Sequence, residues 1–146
     1  MPNIGEQPGA GERVGTVVEP GSLLLTCIAG SIISIGNVVL TNRRVSFNQQ
    51  INAITPHSGV DPLFLYALML AAKPLVQRGA TEAMKKMITK GKLEALLLFK
   101  PPLAEQREFA RVLDLWSRMR QTSRESFRQS DHLFHTLLHE AFATRQ

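Results

Sequence analysis

The chain has 146 residues and a formal net charge of +5, enough for one compact domain with an extension. Its single cysteine, Cys27, excludes an intramolecular disulfide framework. Because there is no apolar run of about 18 residues and no basic N-terminal segment followed by an apolar one, we expect no membrane span and no signal peptide, and therefore a cytoplasmic protein.

The first part of the chain predicts a short lead followed by strands. Residues 1–15 are rich in Gly, Pro and Glu and predict a flexible lead. "EPGSLLLTCIAG" places a Pro-Gly turn before an apolar run typical of a buried strand. Gly30 and Gly36 bound a tight loop before a second strand at 37–41. "VSFNQQINAIT" alternates, which predicts one strand whose shared face is formed by Val45, Phe47, Gln49, Ile51 and Ala53.

The pattern then changes from alternation to helical spacing. In "SGVDPLFLYALMLAA", Asp61 is the expected N-cap and Pro62 the first helical residue. This helix is apolar nearly all round, so we expect it to be buried, and Lys73-Pro74 should kink or end it. A short polar loop, a basic turn and an apolar stretch at 93–99 follow.

Pro101-Pro102 opens a last, long element. Its apolar or small residues recur every three or four positions, which predicts one amphipathic helix of about 40 residues, or about 60 Å. They are Phe109, Val112, Trp116, Met119, Ser123, Phe127, Ser130, Phe134, Leu137 and Ala141. A helix longer than the preceding domain cannot cover this seam with that domain alone, so we expect it to pair with another long helix. The alternative is a helix pair that folds back around "QTSRES".

The sequence offers no credible active site. His132, His135 and His139 have a spacing that could present imidazoles on one helix face, but no Cys, Asp or Glu pattern joins them. "GSIISIG" lacks the Gly-Lys-Ser/Thr of a phosphate loop, and Cys27 has no activating neighbour in sequence. We therefore predict no catalytic residues, no metal and no cofactor, with the histidines flanking the helix seam and Cys27 as a core thiol.

Positive charge is concentrated in the middle of the chain. Residues 41–101 carry nine Lys or Arg against three acidic residues, whereas residues 1–40 carry one Arg and three Glu. This distribution suits an anionic partner such as nucleic acid, with a solvated basic surface as the alternative.

Amide and basic side chains in this region are the candidate DNA contacts. The candidates are Asn42, Arg43, Arg44, Asn48, Gln50, Lys85, Lys86, Lys90 and Lys92. Lys and Arg contact phosphates, and Asn and Gln amides can read adenine edges. The alternatives are a solvated face for the lysines and, for Asn48 or Gln49, a structural role in fastening the "GSIISIG" loop.

Four stretches in this order resemble the DNA specificity (S) subunit of type I restriction-modification systems. They are "EPGSLLLTCIAGSIISIGNVVL", "FNQQINAITP", "VDPLFLYALML" and "RGATEAMKKMITKGKLEALLLFKPPLAEQREFARVL". The resemblance runs from about residue 16 to the end, and Pro101 to Arg107 is its most specific part. A complete S subunit is much longer, so we expect a truncated form with the second half of one target-recognition domain at 16–100 and the family's long helix at 101–146.

The resemblance implies a fold and a set of partners. The fold would be α+β, with a small twisted sheet, short helices and one long C-terminal helix of the coiled-coil type. Such subunits read split sites on double-stranded DNA and perform no chemistry. Their long helices pair antiparallel and dock the methylation subunit, and through it the restriction subunit. The interface residues would be Phe109, Val112, Trp116, Met119, Phe127, Phe134 and Leu137. A homodimer through the helix is a further expectation, and the alternative is a module or fragment that assembles through the helix without binding DNA.

Overall fold

A computed structural model describes residues 15–143. The lead predicted for residues 1–15 therefore lies, apart from Gly15, outside the described residues. The chain divides into two units, one up to Arg107 and one from Glu108 onward. Small antiparallel sheets, short helices and a long C-terminal helix confirm the predicted α+β class.

Within residues 15–143, seven short strands form three small antiparallel sheets. The strands are β1 (Thr16–Val18), β2 (Leu23–Thr26), β3 (Ile28–Ala29), β4 (Val38–Leu40), β5 (Val45–Phe47), β6 (Ile51–Ile54) and β7 (Lys86–Met87). β2 lies between β4 and β6, β1 pairs with β5, and β3 pairs with β7. The buried strand after the Pro-Gly turn and the strand within 37–41 are both confirmed as β2 and β4.

The core of the first unit lies between β2 and two short helices. The helices are α1 (Pro62–Ala71) and α2 (Lys73–Arg78), followed later by α3 (Lys90–Glu94). Leu23 and Leu25 alternate inward from β2, while Met69 and Val76 come from the two helices. The remaining buried members of this cluster are Cys27, Ile35, Val38 and Ile88.

The start of α1 confirms the predicted cap. Asp61 Oδ1 accepts hydrogen bonds from the backbone N–H groups of Leu63 (2.9 Å) and Phe64 (3.0 Å), with Pro62 at the first helical position. The helix ends before Lys73-Pro74, as predicted. The expectation that α1 is buried all round is wrong, because only Met69 is fully buried and Leu70 is 47% exposed. The core lies on one side of the helix, so a second apolar face stays at the surface.

The single alternating strand predicted for 45–53 is also wrong, because the chain turns at Asn48–Gln50 between β5 and β6. The Asn48 side-chain oxygen accepts a hydrogen bond from Gln50 N–H (3.0 Å), and Ile51 N–H donates to Asn48 O (3.1 Å). A side-chain acceptor two residues upstream competes with the sheet ladder and favours a turn. Gln49 is exposed rather than on an apolar face, so its amide needs no protein partner.

The loop between Gly30 and Gly36 is held by a residue that the sequence did not indicate. Gln77 Nε2 donates to the backbone carbonyls of Ile32 (3.0 Å) and Ile35 (3.3 Å). The proposed fastening by Asn48 or Gln49 is therefore wrong. Gly36 has φ of 80°, a left-handed conformation that favours glycine.

Gln106 joins three backbone segments of the first unit. Its side chain is 0% exposed. Its Oε1 accepts from Asp61 N–H (2.9 Å), and its Nε2 donates to Pro101 O (2.8 Å) and Gly59 O (3.3 Å). Every polar atom of this buried amide is thus used, which gives a physical reason for the glutamine in the Pro101–Arg107 motif.

The last element is one continuous helix, α4 (Leu103–Ala143), of 41 residues. The helix runs without interruption through residues 121–126, so the alternative in which the chain folds back there is not adopted. No helix within residues 15–143 is long and apolar enough to cross a membrane.

Candidate nucleic-acid interface and helix seam

Two groups of candidate DNA-contacting residues meet beside the backbone of Cys27. Gln50 O accepts a hydrogen bond from Cys27 N–H (2.9 Å), and Cys27 O accepts one from Ile88 N–H (2.9 Å). The Asn48–Gln50 turn and the strand that begins at Lys86 therefore flank the same segment. The fold brings Asn48 and Gln50 to the same end of β2 as Lys85 and Lys86, although Gln50 and Lys85 are 35 positions apart in the sequence.

The third group, Asn42, Arg43 and Arg44, lies at the opposite end of β2. In the register of the central sheet, Leu23 pairs with Leu40, which precedes this group, whereas Thr26 pairs with Ile51. All three residues are exposed, and Arg44 forms an exposed ion pair with Glu19 (3.3 Å). The predicted candidates are therefore split between the two ends of one strand.

The four lysines of the basic turn differ in how their ammonium groups are engaged. Lys86 Nζ donates to Glu82 O (3.0 Å) and Lys92 Nζ to Gly79 O (3.2 Å). Lys90 lies 3.6 Å from the Glu94 carboxylate. Within the described part of the chain, the Lys85 ammonium has no hydrogen-bond or ion-pair partner, so it is the most available for a phosphate.

Cys27 is a buried free thiol, and the three closely spaced histidines lie on α4. Burial raises the pKa of the Cys27 thiol, while hydrogen bonds with Asn52 act in the opposite direction. A buried thiol with a raised pKa is a poor nucleophile. His135 lies 3.7 Å from Asp131 on α4, and residues 15–143 contain no group of three or more side chains arranged to hold a metal.

The predicted seam of α4 is exposed along its length. The seven predicted interface residues are between 48% and 74% exposed: Phe109, Val112, Trp116, Met119, Phe127, Phe134 and Leu137. The periodic pattern missed four further exposed apolar side chains that widen the seam: Leu115, Leu133, Leu138 and Phe142. Together they form one apolar segment at 109–119 and another at 133–142, with Phe127 between them.

The polar side of α4 carries several ion pairs within the helix. Arg111 donates to Glu108 (2.8 Å) and lowers the pKa of that carboxyl, and Arg118 donates to Asp114 (2.8 Å). Such solvent-exposed pairs are weak, so they support the helix without replacing the packing that a long amphipathic helix needs.

Comparison with known sequences gives the family. A profile described as the type I restriction modification DNA specificity domain matches residues 13–125, which is most of the chain. The chain belongs to this DNA specificity family. Members of the family are in general non-catalytic. No curated protein sequence gave a significant match.

Solved structures of S subunits share the fold. The HsdS subunit from Thermoanaerobacter tengcongensis matches with a TM-score of 0.56 and 22% identity over 70% of this chain. The type I S subunit from M. genitalium matches with a TM-score of 0.56 and 17% identity over 68%. A third chain comes from a structure concerned with complex assembly and conformational transition of the type I R-M system. It matches with a TM-score of 0.57 and 21% identity over 70% of this chain.

This specificity-family chain spans about a quarter of the S subunits that it matches, covering 23%, 26% and 24% of their lengths. At these identities the likeness establishes the fold.

Proposed function

We propose that the chain is a DNA-recognition component of a type I restriction-modification complex. The observation that carries the proposal is the specificity profile over residues 13–125. The meeting of the Asn48–Gln50 turn with Lys85 and Lys86 beside Cys27 supports a contact surface that combines amides and cations. In this proposal residues 16–100 act as part of a target-recognition domain, and residues 101–146 act as the assembly helix.

The exposed seam of α4 is the proposed docking surface for the methylation subunit. Exposed apolar side chains in two segments, 109–119 and 133–142, of a 41-residue helix need a partner of comparable length. Two copies of the chain offer one another such a partner in an antiparallel arrangement. Segment 109–119 of each copy would then face segment 133–142 of the other, with the two Phe127 side chains near the centre.

A second candidate function is assembly through α4 without any DNA contact. The exposed seam favours it, because that surface is complete whether or not the basic residues touch a phosphate. DNA binding by the chain separates the two candidates.

The salt dependence of DNA binding tests the recognition proposal. Replacing Lys85 with alanine should weaken binding to any duplex and reduce the slope of log affinity against log salt by about one, since one phosphate contact and its released counterion are lost. Fluorescence anisotropy with a labelled duplex at several salt concentrations measures this.

Lys100→Ala provides the control, because it removes the same charge from an exposed position outside the proposed interface. If Lys85→Ala leaves the slope of log affinity against log salt unchanged, or if Lys100→Ala loses as much affinity as Lys85→Ala, the result would count against a specific phosphate contact at Lys85.

A further inference from the structure

The segment from Thr81 to Met87 forms a closed loop beside the β3–β7 pair. Thr81 N–H donates to Met87 O (2.9 Å) and closes the loop at its base. Within it, Lys86 Nζ donates to Glu82 O (3.0 Å), and the Thr81 hydroxyl donates to Lys85 O (3.5 Å). A loop held at several points presents its tip to a partner at a reduced entropy cost.

The tip of this loop combines an apolar side chain with an available cation. Met84 is 99% exposed, which leaves this large apolar side chain without a packing role in the first unit. The next residue is Lys85, whose ammonium has no partner among the residues that the structure describes. Four lysines and two glutamates lie between Thr81 and Ala95, so the charge around the tip complements a polyanion.

Proteins that bind DNA use this pairing of residue types. Apolar side chains contact thymine methyl groups or wedge against a base step, and neighbouring cations fix the register on phosphates. An apolar protein surface would complement Met84 but not Lys85. Double-stranded DNA complements both residues.

We propose that the loop tip enters a groove of double-stranded DNA, with Met84 contacting base edges or a base step and Lys85 contacting an adjacent phosphate. The inference rests on the proposed DNA-recognition function and adds an apolar base contact to it. Met84 is a loop residue outside any periodic pattern, so nothing in the sequence singled it out.

The two contacts have different signatures in a titration of the full chain. The probe is a fluorescein-labelled pool of short duplexes with a randomised centre. Met84→Ala should weaken binding about tenfold without changing the salt slope, because an apolar contact releases no counterions. Lys85→Ala should reduce the slope by about one. Because Met84 is almost fully exposed, its replacement should leave the fold intact, which circular dichroism checks.

Leu97→Ala is the matched control, since Leu97 is an apolar residue of the same unit that is 96% exposed. Its affinity for the pool should equal that of the unmodified chain. Suppose that the unmodified chain binds the pool. If Met84→Ala then binds with the same affinity, or if Leu97→Ala loses as much affinity as Met84→Ala, the inference is wrong and the recognition proposal stands. If the unmodified chain binds no duplex, both proposals fail.

A fluorescent label provides a second, direct readout. Cys27 is the single native cysteine and is buried, so Met84→Cys carries one exposed thiol for a polarity-sensitive dye. Adding the duplex pool should shift the emission of dye at position 84 and leave dye on Leu97→Cys unchanged. A shift on adding methylation subunit but not on adding DNA would assign the tip to a protein contact and overturn the inference.

Discussion

Replacing Gln106 with leucine should lower the free energy of unfolding of the first unit by about 3 kcal/mol. The leucine fills a similar volume but removes one acceptor and two donors. Asp61 N–H, Gly59 O and Pro101 O then lose their partner. Each buried polar group left unsatisfied costs about 1–3 kcal/mol, and the three losses are not independent. Urea unfolding followed by circular dichroism measures the change.

Gln121→Leu is the matched control for this prediction. It makes the same chemical change at an exposed position of α4 and should alter the stability by no more than about 0.5 kcal/mol. Equal effects at the two positions, or a loss below about 1 kcal/mol for Gln106→Leu, would contradict the role assigned to the buried amide.

Replacing both Trp116 and Phe127 with alanine should abolish the complex that forms through α4. Large aromatic side chains near the centre of an interface cost about 2 kcal/mol or more each when truncated, so the pair should weaken association about a thousandfold. Both side chains are exposed in the chain alone, at 51% and 74%. Their loss should therefore spare the fold of the first unit. Titration calorimetry with the methylation subunit measures the effect.

A double alanine variant on the opposite face of α4 is the control for the aromatic double variant. Gln121 and Glu125 lie on the face opposite the seam by helical spacing, and their double alanine variant should bind as the unmodified chain does. A complex that persists in the aromatic double variant would place the docking surface elsewhere.

Local signals explain which parts of the fold were predictable. The Pro20–Gly21 turn, the Asp61 cap with Pro62, and the Pro101-Pro102 start of α4 each rest on backbone preferences of a few adjacent residues. Apolar spacing then identified α4 as one long helix because the pattern continues across the whole element.

Contacts between distant residues explain what the sequence did not indicate. Alternation at 45–53 predicted one strand, but the side chain of Asn48 stabilises a turn within it. Gln77 holds a loop more than forty positions away, as the 45-residue separation from Ile32 shows. Neither the sequence spacing nor the residue type of Gln77 identifies that contact.

The candidate site shows the same difference between local sequence signals and contacts between distant residues. Residue type was sufficient to name the cations and amides, but only the backbone pairing shows that Gln50 and the strand of Lys86 flank the same segment at Cys27–Ala29, while Arg44 lies at the other end of β2. The exposure of Met84 is likewise a property of the folded loop, because a methionine in a basic segment is equally compatible with the core.

Light scattering of the purified chain, with and without the methylation subunit of a type I system, tests directly whether α4 docks that subunit. We expect a stable mixed complex whose mass contains both proteins, because the seam of α4 requires a long partner. A monomer whose mass does not change on adding that subunit would contradict it.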